Sequence, residues 1–309
     1  MRILREAREA RPPTGKAAIA IGMFDGVHLG HQQVLRQTVA DARDHEAMAI
    51  AVTFDRHPAA VLSPANAPAL IQTQAQRLRA IAALEVDAAL VLEFDAVLSR
   101  MPAPEFITQL IGHLGHCVSV CVGARFAFGH QRAGNVALLK QLGAQLGFAV
   151  HGLANVALDG EMVSSTRVRK AIASGDLDGA GQMLGRPYVL AGTVVTGDGR
   201  GRTWGFPTAN LDAAGLCLPP AGVYAAHARV ADKAYRAAVN IGLRPTLNEP
   251  VPSLHVEAHL LDFAGDCYGQ EMELSFVQRL RGEERFASVE ALRAQIARDV
   301  QSARAAFGV

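Results

Sequence analysis

Ten residues, Gly22-Met-Phe-Asp-Gly-Val-His-Leu-Gly-His31, constrain the fold more than any other stretch of the chain. They follow the apolar run Ala17 to Ile21 and precede the amphipathic run Gln32 to Ala42, which reads as strand, tight turn and helix start. Gly22, Gly26 and Gly30 permit positive φ or close approach of a ligand, and His28 and His31 stand three apart where the helix begins. A helix N-terminus carries unpaired N–H groups and a partial positive charge, so a polyphosphate is its natural guest. Imidazoles there can donate to phosphate oxygens whose charge shifts as a nucleotide bond breaks. A solvated turn is the plainer alternative. A zinc site would need further ligands, and none stands nearby in the sequence. Three glycines directly after a buried strand favour the nucleotide cradle.

The 309 residues suit two domains better than one. Thirty basic against 29 acidic residues leave a net charge of +1, too little field to wrap nucleic acid or dock on anionic lipid, so small-molecule partners are expected. Met1 to Glu9 has no apolar core or cleavage signal, and no segment reaches the length of a membrane helix; the expectation is a cytoplasmic protein. His113, His116, Cys117 and Cys121 crowd one stretch, but Cys117 to Val122 reads as a buried strand in which free cysteine serves as a small hydrophobe.

From Ala17 onward the pattern alternates. Strands are predicted at Ala17 to Phe24, Ala47 to Phe54, Ala88 to Phe94, Cys117 to Val122 and around Phe148 to Leu153. Helices are predicted at Gln32 to Glu46, Gln74 to Leu84, Pro104 to Leu114 and Val136 to Leu146, the last capped by Asn135. Such alternation implies βαβ units, a mostly parallel sheet, and a ligand beyond the carboxyl ends of its strands. Two further stretches are expected at that edge. Phe126 to Asn135 suits a loop over a flat ligand, with an ordinary surface connection as the alternative. Ser164-Ser-Thr-Arg-Val-Arg169 opens a short helix that Gly175 can close, and reads as a second phosphate cradle or a capped, solvated helix.

Beyond Gly185-Arg186-Pro187, where we expect the domain boundary, short strands replace the alternation: Tyr188 to Thr196, the hairpin Gly222 to Val230 with Tyr235 to Ile241, Leu254 to Asp262 and Glu271 to Val277. A helix with Val289, Leu292, Ile296 and Val300 on one face and Ser288 as cap finishes the chain. The pattern suggests a small antiparallel β-barrel. In Gly197 to Asn210 the glycines expose backbone N–H groups, and Thr208 and Asn210 present hard oxygens suited to Mg²⁺. Glu257 shares a strand face with His255 and His259; it is either outward and solvated, or inward and poised to take a proton from a hydroxyl substrate.

Taken together, Gly22 to His31, Ser164 to Arg169, Gly201-Arg-Thr-Trp-Gly-Phe-Pro-Thr-Ala-Asn210, Asn240-Ile-Gly-Leu-Arg-Pro-Thr246 and Val256 to Phe263 resemble the bacterial bifunctional riboflavin kinase/FAD synthetases over nearly the whole chain. The resemblance implies a Rossmann-like α/β nucleotidyltransferase domain with a parallel sheet at 1–185. At 186–309 it implies an antiparallel β-barrel riboflavin kinase domain with a C-terminal helix. It implies that Gly22, Phe24, Asp25, Gly26, His28, Gly30, His31, Ser164, Ser165, Thr166 and Arg169 bind ATP for adenylyl transfer, and that His57, Arg125, Phe126, Phe128 and Arg132 lie on the FMN side. In the second half it places ATP on Gly197, Gly201, Arg202, Phe206, Thr208 and Asn210, Mg²⁺ on Thr208 and Asn210, flavin on Arg281 and Glu284, and the catalytic base at Glu257. The chain departs from the family pattern at Arg56, Arg125 and Asn135. The leading expectation is an enzyme making FMN from riboflavin and FAD from FMN, each with ATP. The alternatives are a riboflavin kinase with an impaired adenylyltransferase domain and a non-catalytic flavin- or nucleic-acid-binding regulator.

Overall fold

The central first-half strands are near-continuous buried runs of small and apolar residues, and the sheet they form is covered on both faces. The structure, a computed structural model, describes residues 1–231, 233–243 and 254–308. The chain packs as two units, Met1–Leu70 with Gln74–Ser165, and Ile71–Thr73 with Thr166–Val309.

The main sheet of the first unit has six strands, β1 (Arg2–Leu4), β2 (Lys16–Ile21), β3 (Met48–Phe54), β4 (Ala88–Leu92), β5 (His116–Gly123) and β6 (Ala149–Leu153), in the order β1-β4-β3-β2-β5-β6. All neighbours pair in parallel. The longer helices that accompany them are α1 (Leu29–Asp44), α2 (Gln74–Ala82), α3 (Ala103–His113) and α4 (Val136–Leu146). Ala17, Ile19 and Ile21 of β2 join Phe106, Ile107 and Leu110 of α3 and Leu139 of α4 in one core. Ala18 and Ala20 join Val34, Leu35 and Val39 of α1 in the other. Each large side chain so buried contributes about 1.5–3 kcal/mol.

Details of the first unit differ from expectation. The strand expected to run through Phe24 ends at Ile21, because Phe24 turns to φ +52. The helix expected from Gln32 begins at Leu29, because the His28 side chain caps it. An unforeseen strand, β1, joins the sheet edge by pairing Ile3 with Ala89; three residues with one buried side chain, Leu4, carry no periodicity to detect. Asn135 caps α4 through Leu138 N–H, as anticipated.

After β4 the chain crosses to the far side of β2 to form β5, so strand order reverses between β2 and β5. A ligand of such a sheet lies outside the carboxyl ends at that reversal. The Gly22–His31 segment leaves β2 there, and residues 124–135 leave β5 there.

The second unit opens with the rest of α5 (Ser165–Ser174), closed by Gly175 at φ +86, and α6 (Leu177–Leu184), capped by Asp176. Next come β7 (Val189–Val195), β8 (Ala209–Asp212), β9 (Gly222–Val230), β10 (Lys233–Leu243), β11 (Leu254–Leu260) and β12 (Glu271–Arg281), a closed antiparallel barrel in the order β7-β8-β11-β10-β9-β12. α7 (Val289–Ala306), capped by Ser288, lays Ala303 on Ala225 and Ala238 of the barrel's outer face. β12 runs four residues past the expected end at Val277 and so delivers Arg281. Residues 244–246 of the Asn240–Thr246 motif lie outside the described residues. Among the described residues, no helix is long and apolar enough to cross a membrane.

Candidate active sites

The turn after β2 is strained. Phe24, Gly26 and Val27 take φ of +52, +84 and +41, and for the two side-chain-bearing residues this costs of order 1–3 kcal/mol each. Its carbonyls are pinned one after another. Met23 O accepts from Thr53 Oγ1 at 3.1 Å and from Arg77 Nη1 at 3.2 Å, and Phe24 O accepts from Val27 N–H at 3.0 Å. Asp25 O accepts from Ser165 Oγ at 2.9 Å, and Val27 O from Gln32 Nε2 at 3.0 Å. Arg77, 3% exposed on α2, also donates to Phe54 O at 2.5 Å, so one guanidinium joins the ends of β2 and β3. Burial pushes the Arg77 pKa down, while the charges of Asp25 and Asp55 oppose that shift.

At the helix entrance, His28 Nδ1 accepts from His31 N–H at 3.3 Å, which leaves the neutral ring's proton on Nε2 as a donor. The two imidazoles stack with centroids 3.6 Å apart, and Phe24, 1% exposed, meets His31 edge-on at 5.4 Å. The first turn of α1 contains no acidic side chain, so nothing there opposes an anion at the positive end of the helix. The arrangement offers hydrogen-bond donors to a polyphosphate from a rigid frame.

Other expected residues fall as follows. Phe24 and Asp25 are buried, and they brace the turn from inside. Ser165 secures Asp25; Ser164 is half-buried beside it in sequence; Thr166 and Arg169, on α5, belong to the second unit. His57 is half-buried and its Nδ1 accepts from Ala59 N–H. Phe128, 7% exposed, lies in the core beside Phe106, with Phe126 stacked on it at 5.2 Å. Arg125 and Arg132 are exposed. Arg56 pairs with Asp55 at 2.8 Å. Burial pushes the Cys117 and Cys121 thiols up to about 12, so neither is a ready nucleophile.

In the barrel, Val256, Ala258 and Leu260 of β11 are buried, while His255, Glu257 and His259 alternate onto the outer face. Glu257 points out of the barrel and is half-buried, because its face is partly roofed. Register places Asn210 opposite Glu257, Glu257 opposite Asn240, Asn240 opposite Val223 and Val223 opposite Arg281. These five residues form one row along the floor of a cavity of about 400 Å³, covered by Phe286 and by Leu292, Ile296 and Val300 of α7. Gly201, Phe206, Thr208 and Glu284 also line it; Gly197 and Arg202 do not. Arg281 clamps floor to roof: Nε and Nη2 donate to Asp299 at 2.9 and 2.7 Å, and the guanidinium lies over Phe286.

Gly197 makes room for one member of the row, since a Cβ there would stand 2.2 Å from Asn210 Nδ2. Gly197→Ala should therefore displace Asn210 and lower any turnover in the cavity by about 100-fold, the cost of misplacing a reacting group by an ångström. The same variant assayed for any chemistry at the first unit, unchanged within error, is the control.

The comparisons follow the same division. A family model described as FAD synthetase matches residues 11–167, and one described as riboflavin kinase matches residues 184–307. The chain is 36% identical over 309 residues to the bifunctional riboflavin kinase/FMN adenylyltransferase of Haemophilus influenzae, covering 99% of each. It is 38% identical over 306 residues to the protein of that name from Pseudomonas fluorescens, covering 99% of this chain and 97% of the other.

The chain belongs to the bifunctional riboflavin kinase/FMN adenylyltransferase family.

A crystal structure named as a macrolide-efflux protein from Streptococcus pneumoniae matches with a TM-score of 0.81 and 28% identity over 98% of each chain. What the two have in common is the fold; efflux is a statement about that protein. For this member of the riboflavin kinase/FMN adenylyltransferase family, the FAD synthetase match covers β2 through β6 with the Gly22–His31 turn, and the riboflavin kinase match covers the barrel, the cavity and α7.

Several residues of these sites escape sequence reasoning. Arg77 reads as a solvent-facing position, although its i, i+4 spacing to buried Ile81 is a signal that it faces inward. Asn240 heads one of the motifs that carry the resemblance, but its place opposite Glu257 is set only by the register. Trp204, Phe286 and Asp299 reach the cavity from segments whose placement depends on how the barrel is covered.

Proposed function

We propose that the two geometries are separate active sites: the barrel cavity phosphorylates riboflavin to FMN with ATP, and the turn after β2 serves adenylylation of FMN to FAD with release of pyrophosphate. The observation that carries the reading is the row Asn210–Glu257–Asn240 inside a roofed cavity, which puts one carboxylate between two amides beside Thr208.

The chemistry explains why the sites differ. A riboflavin hydroxyl must lose a proton as it attacks the γ-phosphate, so its site needs a base, and Glu257 takes that role. The attacking oxygen of FMN belongs to a phosphate that is already ionised near neutral pH, so adenylyl transfer needs donors for charge on the α-phosphate and the departing pyrophosphate. His28, His31 and the entrance to α1 supply them, with Gly22, Gly26 and Gly30 in the turn and Ser164, Ser165, Thr166 and Arg169 assigned to the ATP phosphates by resemblance. His57, Arg125, Phe126 and Arg132 are assigned to the FMN side on the same ground. Gly197, Gly201, Arg202 and Phe206 are assigned to ATP in the barrel, and Arg281 and Glu284 to flavin.

Mg²⁺ fits the oxygens of Thr208 and Asn210 in a cavity that Glu257, Asp198 and Glu283 also line. No group of three His, Cys, Asp or Glu among the described residues is arranged as a metal cage. That suits a cation carried in by ATP phosphates and steadied by one or two protein oxygens, where it would neutralise phosphate charge. We assign 1–185 to FMN adenylyltransferase and 186–309 to riboflavin kinase, and place the enzyme in the cytoplasm.

Chromatography of products formed with ATP and Mg²⁺ from riboflavin, and in parallel from FMN, tests the reading. FAD in both reactions is expected. FMN from riboflavin without FAD from either would favour the kinase-only alternative, in which the departures at Arg56 and Arg125 matter. No product from either substrate would overturn the enzymatic reading.

A further inference from the structure

We propose that His259 is a positioning residue for phosphoryl transfer: it holds the Pro207 carbonyl and so sets where Thr208 stands relative to Glu257. The proposal deepens the reading of the barrel cavity as the riboflavin kinase site and rests on it. His259 Nδ1 lies 2.8 Å from Pro207 O, and since a carbonyl only accepts, the ring nitrogen is the donor. Pro207 has no N–H, so this carbonyl is the one backbone polar group it can offer. The ladder between β8 and β11 ends at the Ala209–Ala258 pair, which leaves Thr208 as the first residue beyond it. His259 extends the attachment past that end with a side chain.

The contact reaches further along the segment. The Phe206 ring stands edge-on to His259 at 5.8 Å, and Phe206 N–H donates to Gly201 O at 2.8 Å. The stretch before Thr208 contains Gly197, Gly199, Gly201 and Gly205, with Gly199 and Gly205 at positive φ. Glycine-rich chain has little stiffness of its own, so a tether at its end has a large effect. Glu257 and His259 stand two residues apart on one strand and on one face. A single strand thus carries the base and the tether, and fixes the spacing between the base and the oxygen of Thr208.

Two substitutions in the full chain separate hydrogen bonding from packing. His259→Asn keeps an N–H donor close to the position of Nδ1, while His259→Phe keeps a ring against Phe206 and removes the donor. We expect His259→Phe to lower kcat/KM for ATP in riboflavin phosphorylation by about 10–100-fold, and His259→Asn to recover most of that loss. FAD formation from FMN in the same preparations should not change. A purely packing role predicts the reverse order, with Phe tolerated and Asn impaired, and would overturn the proposal; so would equal loss in both variants with unchanged thermal unfolding. Amide exchange across residues 199–208 reads the tether without catalysis. Faster exchange in His259→Phe than in His259→Asn is expected, and exchange equal to wild type in His259→Phe would overturn the tether. Expected exchange in a wild-type chain that phosphorylates no riboflavin would instead leave the tether standing and overturn the reading of the site.

Discussion

Glu257→Gln will abolish riboflavin phosphorylation and spare FAD formation from FMN. The substitution keeps the size and the hydrogen-bonding reach of the side chain between Asn210 and Asn240, so the row across the barrel persists. What it removes is the capacity to accept a proton, and a positioned general base contributes about 10²–10⁴-fold. ATP is anionic and the cavity is also lined by Asp198 and Glu283, so losing one negative charge gives ATP no reason to bind more weakly. The loss should therefore appear in kcat, with KM for ATP unchanged or lower. Steady-state kinetics from riboflavin, with FMN adenylylation run on the same preparation, checks it. Loss of both activities in a still-folded variant would overturn the assignment of separate sites, and kinase turnover near the wild-type rate would remove Glu257 from the role of base.

Arg77→Met is expected to suppress FAD formation by about 100-fold while leaving the kinase intact. Two effects compete in its stability. The hydrogen bonds from the guanidinium to Met23 O and Phe54 O are charge-assisted and worth about 1.5–3 kcal/mol each. Against them, the variant no longer buries a cation, whose desolvation costs several kcal/mol. The two nearly offset, so the change in unfolding temperature should be modest. The turn, however, loses a support that nothing replaces. Thr53 still holds Met23 O, but Phe54 O is left without Arg77, and Phe24 and Val27 must keep their positive φ with one fewer constraint. Any relaxation there moves His28 and the entrance to α1. Arg77→Lys keeps the charge but not the fork, and should fall between wild type and Arg77→Met. Adenylylation by Arg77→Met within about threefold of wild type would show that the turn holds its shape without this residue.

The expected sites are legible where chemistry is local. His28 and His31 at a helix entrance, and Thr208 and Asn210 on one extended segment, are named by residue type and spacing because the groups that cooperate are neighbours in the chain. Asn135, Asp176 and Ser288 cap helices within their own turn of chain, through bonds to N–H groups three residues on. Glu257 shows where local reading stops. Period two groups it with His255 and His259, yet the same pattern fits an inward or an outward face, and the observed answer, outward beneath a roof, is neither of the simple alternatives. The motif assigns Ser165 to phosphate, whereas the structure shows its hydroxyl tying Asp25 O from 140 residues away, a contact that no motif reveals.

The sequence by itself determined the class of each half, the Gly22–His31 turn and most helix ends, because hydrophobic period, capping and turn chemistry act over a few residues. The tertiary structure alone decided which side of the barrel carries the cavity, that Asn240 faces Glu257, that Arg281 clamps Asp299, and that Arg77 joins two strand ends. Those outcomes depend on strand register, barrel closure and the packing of α7, which couple residues far apart in the chain and leave no periodic trace along it.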